Sequence, residues 1–253
     1  ETGQRWGNPL YEWQNHIQQD FDWWKRRLKT QLELFDLIRI DHFRGFESCW
    51  EIPASCETAI DGEWKPAPGE QLFDSLLAYF GELPLVAEDL GIITSEVVAL
   101  KEKYGLPGMS VLQFGFNGLP DNPHALNEQV ENSVTYTGTH DNDTSLGWFE
   151  SENDGTKSWV MQQLMPLAEK KLAETELLEE YAHTMPWPLI IAAFESVAQR
   201  VIVPMQDFLM LDSSNRMNIP GVCEGNWRWQ FSWSQVPENL APNIRILIEA
   251  SER

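Results

Sequence analysis

The chain has 253 residues, 42% of them hydrophobic and 23% charged, an ordinary composition for a folded protein and a length near that of a single α/β barrel. Its 39 acidic residues against 18 basic ones give a net charge of −21. Such a field repels phosphate backbones and anionic lipid, which sets nucleic-acid and membrane-surface roles aside and suits a neutral ligand.

In chain order, Asn8 and Pro9 read as an N-cap and first helical residue. Leu10, Trp13, Ile17, Phe21, Trp24, Leu28 and Leu32 then follow at steps of three or four, predicting one amphipathic helix. It leads into Phe35-Asp36-Leu37-Ile38-Arg39-Ile40, an apolar run expected to be a strand buried on both faces, which ends in Asp41, His42 and Arg44. Residues 47–70 carry Gly62, Pro66, Pro68 and Gly69 and predict an irregular loop of a length that is usually functional. A short helix over about 71–80 reaches Gly81, and a strand over 83–87 ends in Glu88 and Asp89. Thr94 is placed as the cap of a helix that stops at Gly105, and a strand is expected over 108–114. A further strand, Ser133 to Thr139, ends in His140-Asp141-Asn142-Asp143. Helices are predicted over 154–164, 168–181 and 189–199, then a last strand over 200–207.

Five alternations of strand and helix call for a parallel sheet. Three of the five strands deliver an acid at the same end, where α/β barrels keep their chemistry. Five strands cannot close a barrel of eight, so a barrel here lacks its first three strands. The chain opens on Glu1 rather than Met, and its start is expected to be a cut inside a longer protein.

No apolar run approaches the roughly 20 residues that span a bilayer; Trp187–Phe194 is the longest. No signal peptide is recognised. Cys49, Cys56 and Cys223, an odd number without a CxxC pair, argue against a disulfide scaffold and for a reducing, cytoplasmic setting. No HExxH, P-loop, GxSxG or GxGxxG occurs, and neither a metal site nor a cofactor is expected.

Acids converging from separate strand ends suit glycoside chemistry. One carboxylate attacks the anomeric carbon and forms a sugar ester, while a second, kept protonated by its surroundings, protonates the departing oxygen. In a retaining pair they stand about 5–5.5 Å apart. Arg39 lies one strand period from Asp41 on the same face, where its cation favours an ionised nucleophile. Twelve Trp residues offer faces for sugar rings as well as core.

Five ordered motifs, Gly3-Gln4-Arg5-Trp6-Gly7-Asn8-Pro9, Arg39-Ile40-Asp41-His42-Phe43-Arg44-Gly45, Ala87-Glu88-Asp89-Leu90-Gly91, Thr139-His140-Asp141-Asn142-Asp143-Thr144 and Arg216-Met217-Asn218-Ile219-Pro220-Gly221, closely resemble the amylomaltases. These are the 4-alpha-glucanotransferases, or disproportionating enzymes, of glycoside hydrolase family 77 in the alpha-amylase clan. The resemblance implies a parallel (β/α)₈ TIM barrel of which this chain carries strands four to eight, so that residues 1–253 form the C-terminal part of the catalytic barrel and the N-terminal half is a missing partner. It makes Asp41 the nucleophile, Glu88 the general acid/base and Asp141 the transition-state stabiliser. Arg39, His42, His140, Gln4, Trp6 and Asn218 match substrate-holding positions, and Asp89 and Asp143 rank as supporting neighbours. The implied substrates are α-1,4-glucans and maltooligosaccharides. The alternatives are an α-glucan hydrolase of the same clan and a non-catalytic glucan-binding or assembly fragment.

Overall fold

Two consecutive left-handed residues, Asp20 (φ 47°) and Phe21 (φ 53°), split the N-terminal apolar stripe into α1 (Trp13–Gln18) and α2 (Asp22–Leu32) in the computed structural model, which describes residues 2–253. The predicted helix therefore starts at Trp13 instead of Pro9 and does not run unbroken to Leu32. The break is pinned by Asp20, whose carboxylate accepts from Lys25 Nζ and Ser75 Oγ at 2.7 Å each. The stripe still buries: Phe21, Trp24 and Leu28 enter the core, with Trp13 and Ile17 packed against it.

The chain divides at Met109 into two units, each with its own core. In the first, β1 (Ile38–Ile40) is followed by an antiparallel hairpin, β2 (Ser48–Glu51) and β3 (Glu63–Pro66), within the stretch expected to be irregular. Gly62 permits the hairpin, since a Cβ there would lie 2.3 Å from the Trp50 indole nitrogen. Helix α3 (Gly69–Phe80) closes on Gly81 in the left-handed conformation. Strand β4 (Leu85–Ala87) then runs parallel to β1, and α4 (Ser95–Lys103) follows with Thr94 at its cap position.

β4 is fully buried, whereas β1 is only half-buried and Leu34, Phe35 and Leu37 before it are exposed. The expectation of a strand buried on both faces from Phe35 is corrected on this point. Both strands belong to one two-stranded sheet, but β4 also donates Ala87 N–H to the Pro107 carbonyl at 2.8 Å, whereas β1 has β4 as its one strand neighbour among the described residues.

The division falls within β5 (Gly108–Val111), which begins a three-stranded sheet of order β5, β6 (Ser133–Tyr136), β7 (Arg200–Ile202), with β6 and β7 parallel. β5 and β6 are buried throughout; β7, last in its sheet, exposes Arg200 and Ile202. The predicted final strand stops at Ile202 because Pro204 has no N–H for a ladder, and α9 (Met205–Phe208, after α5 to α8 below) begins there. Between β6 and β7 lie α5 (Ser145–Ser151), α6 (Asp154–Glu174), α7 (Glu179–His183) and α8 (Trp187–Phe194); α10 (Leu240–Ala250) closes the chain.

The gap expected between helices ending at 164 and starting at 168 does not occur, and α6 passes through Pro166. Val160, Leu164, Ala168 and Lys171 continue one buried stripe across the proline, and Lys171 pairs with Glu195 at 2.5 Å. Every residue of α8 is buried, so the longest apolar run is a core helix, and no helix among the described residues is long and apolar enough to cross a membrane. The class is mixed α/β with parallel strand pairs.

Candidate active site

In the first unit, β1 and β4 pair in the register Ile38–Leu85, Arg39–Val86 and Ile40–Ala87. Asp41 and Glu88 are thus the next residues after two adjacent parallel strands, at matching height. The ladder carries one step further, with Glu88 N–H donating to the Ile40 carbonyl at 2.9 Å and Phe43 N–H to the Glu88 carbonyl at 2.9 Å.

Between those bonds His42 takes the left-handed conformation, φ 50° and ψ 57°, unusual for a side chain of its size. The reversal sends Phe43 and Phe46 of the following 3-10 turn into the core against Phe73, while Asp41 stays open, its side chain 80% exposed. Burying Phe43 completely contributes about 2–3 kcal/mol, more than the roughly 1–2 kcal/mol the left-handed residue costs.

The Glu88 side chain is buried and bonded at both oxygens. His42 N–H donates to Oε2 at 2.6 Å and Leu90 N–H to Oε1 at 3.0 Å. Arg39 Nη2 meets Asp41 Oδ1 at 3.0 Å, the contact their spacing predicts, and its Nε points at Met109 Sδ at 3.2 Å. Asp89 turns the other way. It pairs with Lys101 at 2.6 Å and accepts Met109 N–H at 2.8 Å, so its role is to hold the strand ends together. Gln4 and Trp6 bond each other at 3.2 Å on the exposed N-terminal segment, flanked by left-handed Gly3 and Gly7. Arg44 lies 4.3 Å over the Trp64 ring and donates to the Ile92 carbonyl, tying the hairpin to the loop after Glu88.

In the second unit, Asp141 is held by the sequence-predicted Asn218, whose Nδ2 donates to Oδ1 at 2.6 Å. His140 Nε2 lies 3.4 Å from the other carboxylate oxygen. Two more groups complete this cluster. Arg216 donates to the Asp141 carbonyl at 2.6 Å and to the Asn218 carbonyl at 2.8 Å, and the Trp227 ring lies 5.2 Å from that of His140. Trp227 is left-handed (φ 59°) and mostly exposed. Its backbone N–H bonds to the Met217 carbonyl at 2.8 Å, closing the loop that carries Asn218. Arg216 stands inside the motif Arg216–Gly221, so a signal for it existed; nothing local marks Trp227.

Asp143 accepts Thr144 N–H at 2.8 Å within its own loop and Ser213 Oγ at 2.6 Å from the 3-10 turn Ser213–Asn215. Beneath that loop Asp207 is buried. Its carboxylate accepts from Thr137 Oγ1, Ser145 N–H and Ser145 Oγ at 2.6–2.8 Å, and burial holds its pKa above the usual carboxylate value against those bonds. In sequence Asp207 closes the apolar run expected as the last strand, an acid after an apolar run being the signal for it, although in the structure it lies inside α9.

The family model described as 4-alpha-glucanotransferase matches residues 1–235. The chain is 46% identical over 255 residues to a 4-alpha-glucanotransferase of Thermus thermophilus, covering 100% of this chain and 49% of the relative. It is 44% identical over 247 residues to a chloroplastic/amyloplastic 4-alpha-glucanotransferase of Solanum tuberosum, covering 98% of this chain and 41% of that protein. Among solved structures, an amylomaltase from Streptococcus agalactiae in complex with acarbose superposes with a TM-score of 0.90 at 34% identity, over 100% of this chain and 49% of that one. The chain spans about half the length, or less, of the relatives it matches.

Proposed function

The chain belongs to the 4-alpha-glucanotransferase family, glycoside hydrolase family 77, and from that premise we propose that it is the catalytic C-terminal part of an enzyme moving α-1,4-glucan segments between maltooligosaccharides. In this reading Asp41 attacks the anomeric carbon of the donor. Glu88 gives a proton to the departing 4-oxygen, and the released glucan leaves. The acceptor's 4-hydroxyl then attacks the sugar–Asp41 ester as Glu88 takes its proton, so that both steps balance and configuration is retained. Asp141 stabilises the charge developing on the ring. Arg39 orients Asp41, and His42, His140, Asn218, Gln4 and Trp6 hold sugar hydroxyls and faces.

The observation that carries this reading is the register of β1 on β4, which leaves Asp41 and Glu88 at equal height after neighbouring strands. The one-sided pairing of β1 and the exposed flank of β7 support the further reading that these are strands four and eight of a barrel whose other three strands lie in a missing N-terminal half. No inorganic or organic cofactor enters this scheme.

The test is maltotriose given to this chain together with that N-terminal half. Transfer yields glucose and oligosaccharides longer than the substrate. Glucose and maltose alone would instead establish hydrolysis. The chain by itself is expected to be inactive, and full activity without the other half would overturn the strand count.

A further inference from the structure

Gln113, Thr137, Ser145 and Asp207 are all buried side chains, contributed by four places in the second unit: the 3-10 turn Leu112–Phe114, the residue after β6, the first residue of α5, and α9. Their hydrogen bonds form one directed chain. Gln113 Nε2 donates to Ser145 Oγ at 3.2 Å and to the Asp143 carbonyl at 3.0 Å. Ser145 Oγ donates onward to Asp207 Oδ2 at 2.7 Å, and Thr137 Oγ1 donates to the same oxygen at 2.6 Å. Ser145 N–H occupies Asp207 Oδ1 at 2.8 Å. Asp207 thereby grips both ends of the excursion 138–144, the segment that carries His140, Asp141, Asn142 and Asp143. A Cβ at Gly138 would lie 2.5 Å from Gln113 Nε2, so the backbone is seated directly on this network.

We propose that Asp207 is a positioning residue for Asp141: its buried carboxylate fixes the length and tilt of the 138–144 loop, and so the place at which Asp141 and His140 are presented. A buried, hydrogen-bonded polar network is costly to rearrange, whereas the contacts from Asn218 and Arg216 to Asp141 are exposed to solvent. That Asp141 takes part in catalysis rests on the function proposed above; that Asp207 sets its loop does not.

The test therefore has a readout that needs no activity. Hydrogen exchange of the 253-residue chain is compared between the unsubstituted protein, Thr137→Val and Asp207→Asn. Thr137→Val removes one donor at constant shape and is expected to speed exchange of amides 139–145 by roughly tenfold or more, with α8 unchanged. Asp207→Asn is expected to speed exchange of the same amides, because its NH2 cannot accept from the Thr137 and Ser145 hydroxyls and Ser145 Oγ already accepts from Gln113; unchanged exchange in this variant overturns the proposal as well. Unchanged exchange in Thr137→Val overturns the proposal, and so does an equal rise in α8, which would make the residue a general core support. With the N-terminal half supplied, Thr137→Val is expected to lower kcat for transfer roughly tenfold with little change in KM. A loss in KM alone overturns the positioning role. Absence of transfer by the unsubstituted protein sinks the function proposed above and leaves the exchange result to decide this one.

Discussion

The backbone N–H of His42 donates to the Glu88 carboxylate at 2.6 Å, and the left-handed turn at His42 brings the next N–H, that of Phe43, back to the Glu88 carbonyl at 2.9 Å. An extended residue there would continue β1 and carry Phe43 N–H away from that carbonyl. The geometry predicts a separation of effects at this position. His42→Gly relieves the left-handed strain and keeps the backbone donor, so stability in urea is expected to hold or rise by up to roughly 1 kcal/mol. Transfer activity falls nonetheless, because the imidazole is gone. A loss of stability together with activity would show that the ring, not the turn, holds this segment.

Asp41 and Glu88 are expected to separate kinetically. With the N-terminal half present, Asp41→Asn abolishes transfer from every donor, since no ester can form without the carboxylate. Glu88→Gln is selective. It slows cleavage of maltotriose strongly but spares formation of the ester from a donor with an acidic phenol leaving group, which needs no proton. Equal losses on both donors would remove Glu88 from the acid role.

Gly108 bears on the same strand ends. A Cβ there would lie 2.3 Å from Asp89 Oδ2 and 2.7 Å from Lys101 Nζ, both largely buried and paired with each other. Gly108→Ala is expected to prise this pair apart and to cost about 3–5 kcal/mol, the range for breaking a buried pair. Urea denaturation measures it; a cost below about 1 kcal/mol would mean that the lysine swings free without penalty.

What could be read beforehand, and what could not, follows from range. The strand ends carrying Asp41, Glu88 and Asp141 were legible because an apolar run that stops in charge is a local signal. The hairpin Ser48–Pro66 was not, because its pairing of Trp50 with Trp64 is cross-strand and Gly and Pro dominate the reading of the intervening chain. The break at Asp20–Phe21 depends on Ser75, 55 residues away. Pro166 reads as a stop, but tertiary burial on either side of it outweighs one lost hydrogen bond. Asn218 and Arg216 share one motif, whereas Trp227 acts through a loop closure that spacing does not encode.

Asp207 supplies a pH signature. Burial raises its pKa in the folded protein, with the nearby Asp143 adding in the same direction and the bonds from Thr137 and Ser145 opposing. The folded state therefore holds this proton at pH values where the unfolded chain, with its carboxylates near about 3.9, has released it. Its contribution to stability is fully present below that value and is lost as pH rises through the folded-state pKa. Asp207→Asn carries no such proton. The stability of the original protein minus that of Asp207→Asn is thus expected to fall as pH is raised from about 4, measured by urea midpoints across the acid range. The many surface carboxylates cancel in the difference, so a difference that climbs with pH would mean that the three donors outweigh burial and that Asp207 sits below the ordinary carboxylate range.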